Sequence, residues 1–251
     1  MSRGVRTSVI ELTNDAGAKV LEGLEDWMLR YSEVDTTPFL AVDQFPWISQ
    51  LEAGFAVIRR ELDAVLEYRE QLPNFQDIST DQLSITDDDR WKTYFFFGYG
   101  FKSDANCARC PETTRILEQV PGMTTAFFSI LSPRKRIPPH RGPWRGVLRY
   151  HLALKIPEPA DLCGIRVGGE VAHWIEGSSL MFDDGYVHSA WNDTDGVRVV
   201  LFMDVLRPMR GPAAWANRGL IKVIGFSPFV RDGVARQRDW ERRFDALRHR
   251  T

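Results

Sequence analysis

The chain has 251 residues, of which 43% are hydrophobic and 26% are charged, and its formal net charge is −2 at pH 7. This composition is ordinary for a globular protein, and the near-balance of charges disfavours a nucleic-acid-binding protein, which usually has a basic excess. No apolar run reaches the roughly 18 residues of a membrane-spanning helix, and residues 1–16 lack the hydrophobic core of a signal peptide. We therefore expect a single cytoplasmic domain, 1–251, with no transmembrane segment and no nucleic-acid partner.

The first third of the chain has the spacing of helices. Apolar residues recur at threes and fours in Lys19–Tyr31 and in Ser49–Gln71, and Pro73 follows the second segment. We predict that residues 1–88 form an N-terminal helical buttress that packs on a sheet.

From about residue 89 the spacing of apolar residues changes to that of short strands, which are separated by glycine-rich and aspartate-rich turns. The predicted strands are Trp91–Phe101, Ala126–Leu131, Val147–Ile156, Cys163–Val167, Ser178–Phe182, Val187–Trp191 and Gly196–Leu206. Such spacing is typical of an all-β sandwich or barrel, here over residues 89–210. No alternation of strands and helices supports a parallel nucleotide-binding sheet, and no glycine-rich phosphate loop is present.

The chain has three cysteines, which is a small and odd number and disfavours a disulfide framework. They are Cys107, Cys110 and Cys163. Cys107 and Cys110 have CxxC spacing, but no second ligand pair with zinc-site spacing accompanies them. We interpret them as reduced structural thiols, with a redox pair as the alternative.

Residues 211–251 return to helical spacing and form a predicted C-terminal extension. Its segments are Trp215–Ile224 and Val230–Leu247. The second segment is highly charged, with one apolar stripe through Val230, Val234, Trp240, Phe244 and Leu247. We interpret it as a solvated helix, with a role at a membrane surface as the alternative.

Two predicted strands direct polar side chains toward one face. In Val147–Ile156 the side chains of Arg149 and His151 share a face, opposite a row of apolar residues. In Gly196–Leu206, Arg198 shares a face with Asp204. A buried guanidinium requires an anion, which is either a ligand carboxylate or an Asp or Glu of the protein.

His140 and His188 each lie beside a turn at the edge of a predicted strand, and four of the five histidines fall in the strand region. Metal ligands are often presented in such positions, although a single histidine is usually structural. Two histidines that bracket the strand of Arg149 and His151 indicate a site.

Several motifs occur together in one order between Trp91 and Pro208. They are Ser129-Ile-Leu, Pro139-His140-Arg141-Gly142-Pro143, Leu148-Arg149-Tyr150-His151-Leu152, Trp174-Ile-Glu-Gly177, Phe182-Asp183-Asp184-Gly185-Tyr-Val-His188-Ser-Ala-Trp191-Asn192 and Arg198-Val-Val-Leu-Phe-Met-Asp204-Val205. In these motifs the chain resembles the aspartyl/asparaginyl β-hydroxylase family over about half of its length.

The resemblance implies a mainly β fold, a double-stranded β-helix (jelly roll) with N-terminal and C-terminal helices packed around it. It further implies an oxidoreductase, a dioxygenase that uses Fe(II), O₂ and the cosubstrate 2-oxoglutarate to hydroxylate an unactivated C–H bond. By position, His140 and His188 match the metal ligands, and Arg198 matches the arginine that binds the distal carboxylate of 2-oxoglutarate. Ser129, Arg149 and His151 match polar groups around the cosubstrate.

The chain departs from the common iron site of two histidines and one carboxylate, because Gly142 stands where the carboxylate is expected. We expect a two-histidine site in which Asp184, a candidate catalytic residue, holds a metal-bound water. The alternative is that Asp184 only satisfies backbone donors of its turn.

The substrate is less well specified by the resemblance. Val147 stands where an arginine that contacts an acidic substrate side chain is expected, and the helical repeat domain of the animal enzymes is missing. We expect a small-molecule, peptide or carrier-bound substrate such as an amino acid, and the oligomeric state is left open. The alternatives are hydroxylation of a lipid A-type acyl chain and a non-enzymatic jelly-roll module that binds a metal or an organic acid.

Overall fold

A computed structural model describes residues 15–248 and the side chains of residues 22–246. The helices are α1 Asp15–Leu29, α2 Ile48–Ala53, α3 Phe55–Leu66, α4 Phe75–Ile78, α5 Asp104–Arg109, α6 Pro111–Leu117, α7 Gly211–Gly225 and α8 Pro228–Arg248. The strands are β1 Phe39–Leu40, β2 Trp91–Gly98, β3 Phe101–Lys102, β4 Met123–Leu131, β5 Lys135–His140, β6 Val147–Lys155, β7 Cys163–Val167, β8 Glu170–His173, β9 Ser179–Phe182, β10 His188–Asn192 and β11 Arg198–Leu206. His249 lies outside the described residues.

The described strands form two antiparallel sheets that face each other. The larger sheet has the strand order β1-β9-β6-β11-β4-β2-β3, and the smaller one has the order β5-β10-β7-β8. Apolar side chains from both sheets meet between them, among them Phe127 and Phe202 of the larger sheet and Ile165 of the smaller one. This arrangement confirms the predicted mainly β, double-stranded β-helix fold.

The two central strands of the larger sheet, β6 and β11, have the predicted alternation of faces. Tyr150 and Leu201 point outward and pack under the helices, with the ring of Tyr150 5.3 Å from that of Trp47. Leu201 is completely buried there, and burial of a leucine of this kind contributes about 1.5–3 kcal/mol to stability. His151 and Phe202 point inward, toward the smaller sheet. The period of two therefore determines which polar side chains enter the space between the sheets.

The N-terminal region differs from the predicted helical buttress in two ways. The single helix predicted over Ser49–Gln71 is divided into α2 and α3 at Gly54. A Cβ atom at Gly54 would lie 2.6 Å from Cδ1 of Ile116, so the break is where α6 packs closely. The N-terminal region also contains a strand, β1, whose residues Phe39 and Leu40 pair with β9.

The strands β5 and β8 are absent from the prediction. Strand β5 contains Pro138 and Pro139, which lack N–H donors, and it lies at the edge of its sheet, where proline is tolerated. Strand β8 lies at the opposite edge and is mostly exposed, so it shows little hydrophobic alternation. The omission matters for β5, because His140 is its last residue.

The two C-terminal helices pack against the barrel as the apolar spacing predicts. In α7, Asn217 accepts a hydrogen bond of 2.8 Å from Nε1 of Trp144. In α8, Val230, Trp240 and Phe244 of the predicted stripe are buried, whereas the side chain of Leu247 lies outside the described residues. None of the helices between residues 15 and 248 combines the length and the apolar character that crossing a bilayer requires.

Candidate functional site

His140 and His188 lie side by side between the sheets. They are partners across the antiparallel strands β5 and β10, and their ring centroids are 4.2 Å apart. Nδ1 of His140 lies 2.9 Å from the carbonyl oxygen of Pro138, and Nδ1 of His188 lies 2.9 Å from that of Tyr186. Because a carbonyl oxygen only accepts hydrogen bonds, Nδ1 carries the proton in both rings. Each ring therefore keeps a lone pair on Nε2, which is the form of histidine that binds a metal ion.

The surroundings hold both imidazoles in the neutral state. Burial lowers the pKa of His140 to about 4, and burial together with the neighbouring His140 lowers the pKa of His188 well below its usual value. Nε2 of His188 is buried and has no hydrogen-bond partner in the described part of the chain. A buried acceptor without a partner is costly, and a cation bound there would satisfy it. The two histidines thus fit a divalent metal ion.

Asp184 occupies the place beside Gly142. A Cβ atom at Gly142 would lie 2.5 Å from Cγ of Asp184, and the Gly142 N–H donates a 2.7 Å hydrogen bond to the carbonyl oxygen of Asp184. From residue 15 to residue 248, no group of three His, Cys, Asp or Glu side chains is arranged to hold a metal ion. The histidine pair therefore stands without a third protein ligand, and the carboxylate of Asp184 lies next to it.

Arg149 connects Asp184 with a second carboxylate, that of Asp204. Nη2 of Arg149 lies 2.8 Å from Oδ2 of Asp184, and its Nε lies 2.8 Å from Oδ1 of Asp204. Its guanidinium carbon lies 4.4 Å from the ring centroid of Phe202. Burial raises the pKa of Asp184 to about 7, although Arg149 opposes this effect. Oδ1 of Asp184 is buried without a hydrogen-bond partner among the described residues, and it can accept one from a water molecule.

Arg198 is a buried cation with neutral neighbours. It is 2% exposed, and its guanidinium carbon lies 4.6 Å from the ring centroid of Trp174. Nη1 lies 3.5 Å from Oγ of Ser129, and the other polar neighbour is the thiol of Cys163. Nε has no hydrogen-bond partner within residues 15–248, and burial lowers the pKa of Arg198 to about 10. A guanidinium in this state is suited to bind a carboxylate.

His151 lies between the histidine pair and Arg198. Its ring packs against Phe182, Phe202 and Trp174 at centroid distances of 5.1, 5.3 and 5.9 Å. Neither ring nitrogen has a hydrogen-bond partner among the described residues. Burial lowers its pKa well below the usual value, and the charges of Arg198 and Arg149 act in the same direction. The neutral ring thus has one N–H that can donate a hydrogen bond and one nitrogen that can accept one, and both are shielded from water.

An apolar pocket begins at His140, and Arg198 is not part of its lining. Its inner end includes Arg149 and Asp204. Its walls come from the inner face of the larger sheet, from α4 and the segment after it, and from the first turns of α8. The apolar wall residues include Phe75, Ile78, Ile85, Trp91, Phe95, Phe127, Phe202, Phe229, Val230 and Val234. A pocket with apolar walls and a few polar groups at one end is the usual form of a small-molecule site.

The structure brings the predicted site residues together around one interior space. His140, His188 and Asp184 lie at one side, and Ser129, His151 and Arg198 lie deeper between the sheets. Arg149 differs from its prediction in one respect: its charge is neutralised by Asp184 and Asp204, so its place beside the cosubstrate stays a prediction. The three cysteines are free and buried, which agrees with reduced structural thiols.

Sequence reasoning missed the parts of the site that depend on pairing between distant segments. Asp204 was placed on the inward face of its strand but not linked to Arg149, which is its cross-strand partner. The apolar stripe of α8 indicated a buried face, but nothing in it indicated that Val230 and Val234 line the pocket.

Comparisons with known proteins show which family the chain belongs to. The family model described as aspartyl/asparaginyl beta-hydroxylase matches residues 52–208. The ornithine lipid ester-linked acyl 2-hydroxylase of Rhizobium tropici is 46% identical over 222 residues, which cover 88% of this chain and 79% of that protein. Aspartate beta-hydroxylase domain-containing protein 2 of Homo sapiens is 32% identical over 189 residues, or 70% of this chain and 49% of that protein.

Two further similarities are more distant. The aspartyl/asparaginyl beta-hydroxylase of Homo sapiens is 29% identical over 170 residues, which cover 66% of this chain and 22% of that protein. The chain thus spans half or less of the length of the two human relatives. The solved cupin domain of Schizosaccharomyces pombe Cnp3 aligns with a TM-score of 0.34 and 10% identity over 51% of this chain and 71% of that chain. Because the family model covers more than half of the residues, this chain belongs to the aspartyl/asparaginyl β-hydroxylase family.

Proposed function

We propose that this protein is a hydroxylase that depends on Fe(II) and 2-oxoglutarate and acts on the acyl chain of a lipid. His140 and His188 would hold the iron through Nε2, without a carboxylate ligand from position 142. The observation that carries the proposal is the arrangement of two neutral imidazoles, each with a lone pair on Nε2, and of Arg198 in the same interior space. Arg198 has no counter-ion among the residues that the structure describes.

Arg198 would bind the distal carboxylate of 2-oxoglutarate, with Ser129 beside it. The charge-assisted pair would be worth about 1.5–3 kcal/mol. Nε1 of Trp91 donates a 3.0 Å hydrogen bond to Oγ of Ser129, which fixes the hydroxyl oxygen and leaves its proton available for the carboxylate. His151 would donate a further hydrogen bond from its neutral ring, since neither ring nitrogen has a partner among the described residues and the charge of Arg198 acts on this ring.

When bound, Fe(II) and 2-oxoglutarate would supply, together with O₂, the oxidation of an unactivated C–H bond, and the cosubstrate would leave as succinate and CO₂. The residues of the chain position the reacting groups and exclude water from the site. Phe182 and Phe202 exclude water around His151. Arg149 holds the carboxylate of Asp184 beside Gly142, where Oδ1 can orient a water molecule.

The apolar pocket favours an acyl chain over the amino acid or peptide substrate expected from the sequence. Its walls are mainly aromatic and aliphatic side chains, which match a hydrocarbon chain. An acidic substrate side chain would need a free cation, but both arginines that line the pocket are paired, Arg149 with two carboxylates and Arg141 with that of Glu25. The Rhizobium tropici relative is named as an ornithine lipid ester-linked acyl 2-hydroxylase, and this name supports the same substrate class.

The test is an assay of the purified chain with Fe(II), 2-oxoglutarate and O₂, with ornithine lipid as one substrate and an aspartate-containing peptide as the other. We expect succinate formation matched by one added oxygen atom on the acyl chain of the lipid, and no oxidation of the peptide. The His188→Ala variant should abolish both products, whereas Val171→Phe, at an exposed position of β8, should not. Oxidation of the peptide alone would contradict the substrate class, and binding of 2-oxoglutarate without any turnover would indicate a binding module.

A further inference from the structure

The chain contains a basic segment without Asp or Glu, whose basic side chains do not line the pocket that begins at His140. Between Val205 and Arg231 there is no Asp or Glu, whereas there are five basic residues. They are Arg207, Arg210, Arg218, Lys222 and Arg231. Arg207 is buried and paired with Asp183, and the other four are exposed. This segment includes all of α7 and the start of α8, so the helix presents positive charge without compensation from its own sequence.

The outward face of α7 combines these charges with large apolar side chains. Trp215, Val223 and Phe226 are 75%, 67% and 71% exposed. At 100° per residue Trp215 and Val223 lie on the same side of the helix as Arg218 and Lys222, and Phe226 directly follows the last residue of the helix, Gly225. The opposite side packs into the protein through Ala213, Asn217 and Ile221. We call Trp215, Arg218, Lys222, Val223 and Phe226 the α7 face.

The α7 face lies next to the apolar pocket. A groove between α7, α8 and the β2–β3 turn is lined by Arg218, Lys222 and Phe226. Tyr99, Phe101, Val230 and Val234 line both this groove and the pocket that begins at His140. A molecule that enters the pocket from this side therefore passes the α7 face.

We propose that the α7 face docks this protein on the surface of a bilayer that contains anionic lipids. Tryptophan and phenylalanine side chains bury themselves at the boundary of headgroups and acyl chains, and lysine and arginine side chains beside them pair with anionic headgroups. The absence of acidic residues from the segment removes the repulsion that would weaken such contact. This inference rests on the proposed function, since docking here would place the pocket entrance where acyl chains are found.

The direct test is co-sedimentation of the 251-residue, metal-free chain with vesicles, which requires no activity. The probes are vesicles of phosphatidylcholine alone and vesicles of equal parts phosphatidylcholine and phosphatidylglycerol. We expect binding to the anionic vesicles, weaker binding to the neutral ones and release from the anionic vesicles by high salt. Neutralising one basic residue should weaken binding by about fivefold, so Arg218→Gln together with Lys222→Gln should weaken it by about 25-fold.

Two matched sets of variants separate the α7 face from general surface effects. Trp215→Ser with Phe226→Ser removes apolar contact, and the control Ile175→Ser changes a side chain that is 71% exposed outside the groove and the pocket. Arg166→Gln is the control for charge. The α7 variants should lose vesicle binding while their thermal unfolding stays unchanged, and the controls should bind as the unaltered chain does.

The outcomes distinguish this proposal from the proposed function. Failure of the unaltered chain to bind anionic vesicles, or equal binding by the α7 variants, would overturn the docking surface even if lipid in detergent micelles is hydroxylated. Conversion of a dimer to a monomer by the α7 variants, without vesicle binding, would identify a protein interface and also overturn it. Vesicle binding that depends on the α7 face, in a chain that hydroxylates no lipid, would support docking and contradict the proposed function.

Discussion

The carboxylate of Asp184 fills the space that a side chain at Gly142 would occupy. A Cβ atom at Gly142 would lie 2.5 Å from Cγ of Asp184, whose carboxylate is held by Arg149. Packing against Asp184 therefore requires glycine at position 142. The same hydrogen bond that joins Gly142 to Asp184 also joins the segment of His140 to that of His188, so the two histidines and the carboxylate form one unit.

The Gly142→Ala variant tests this packing. The added methyl group must displace Asp184 from Arg149, and we expect a loss of about 1–3 kcal/mol in the free energy of unfolding, together with weaker metal binding. Denaturant unfolding and a metal titration measure the two effects. Gly23→Ala is the control, because a Cβ atom at this exposed helical position meets nothing within 4 Å. Equal stability of the two variants would show that Asp184 is free to move.

Arg198 and Arg207 form a matched pair of buried arginines with opposite surroundings. Arg207 pairs with Asp183 at 2.6 Å, whereas Arg198 forms no ion pair within the described part of the chain and lies beside the neutral side chains of Ser129 and Cys163. We expect Arg207→Met to lower the free energy of unfolding by about 3–5 kcal/mol, because it leaves a buried carboxylate with one fewer cation. We expect Arg198→Met to raise it by about 1–3 kcal/mol, because it removes an uncompensated buried charge.

The same Arg198→Met variant should lose affinity for 2-oxoglutarate by about 10-fold to 150-fold, which corresponds to a charge-assisted pair of 1.5–3 kcal/mol. Calorimetry of 2-oxoglutarate binding checks this part. A variant that is less stable than the original chain and still binds 2-oxoglutarate with full affinity would show that Arg198 has a structural role instead.

The length of the apolar pocket should limit the acyl chain that the enzyme accepts. Val234 is half-buried and lines the pocket wall. Val234→Phe should raise KM for long acyl chains by about tenfold, equivalent to about 1.4 kcal/mol, and favour shorter chains. Val171→Phe adds the same ring at a position of β8 that is 45% exposed and should leave chain-length preference unchanged. Unchanged preference in Val234→Phe would place the acyl chain elsewhere.

The thiols of Cys107 and Cys110 should be unreactive in the native protein. Both are buried, and burial raises the pKa of Cys110 to about 12 and raises that of Cys107. At pH 8, below these raised values, the reactive thiolate is scarce, and its amount increases only as the pH approaches the raised pKa. Iodoacetamide should label the thiols only after denaturation, as measured by mass spectrometry. Rapid native labelling at pH 8 would restore the redox-pair alternative.

The alternation of residues in β6 and β11 was sufficient to predict the inward direction of Arg149, His151 and Arg198. Side-chain direction in a strand depends only on local period, so no knowledge of strand pairing is needed. The partners of these side chains could not be predicted in the same way. The pairing of Arg149 with Asp204 depends on the register between two strands that are far apart in sequence.

Elements with weak local signals were also missed. Strand β5 contains Pro138 and Pro139, which are unusual in strands and weaken its sequence signal. The break between α2 and α3 depends on the contact between Gly54 and Ile116. The pocket wall formed by α8 depends on how the last helix docks, which its apolar stripe does not specify. The inward direction of the polar side chains was thus predictable from residue types and faces, whereas the shape of the apolar pocket required the fold.

The most direct test of the two-histidine site is an anaerobic calorimetric titration of the chain with Mn(II), as a substitute for Fe(II), in the presence of 2-oxoglutarate. We expect one ion per chain, loss of binding in His140→Ala and in His188→Ala, and about 10-fold to 100-fold weaker binding in Asp184→Ala. His173→Ala is the matched control, since His173 lies on β8 and its Nδ1 forms a hydrogen bond of 3.0 Å with the carbonyl oxygen of Cys163. Full Mn(II) affinity in both His140→Ala and His188→Ala would contradict the site.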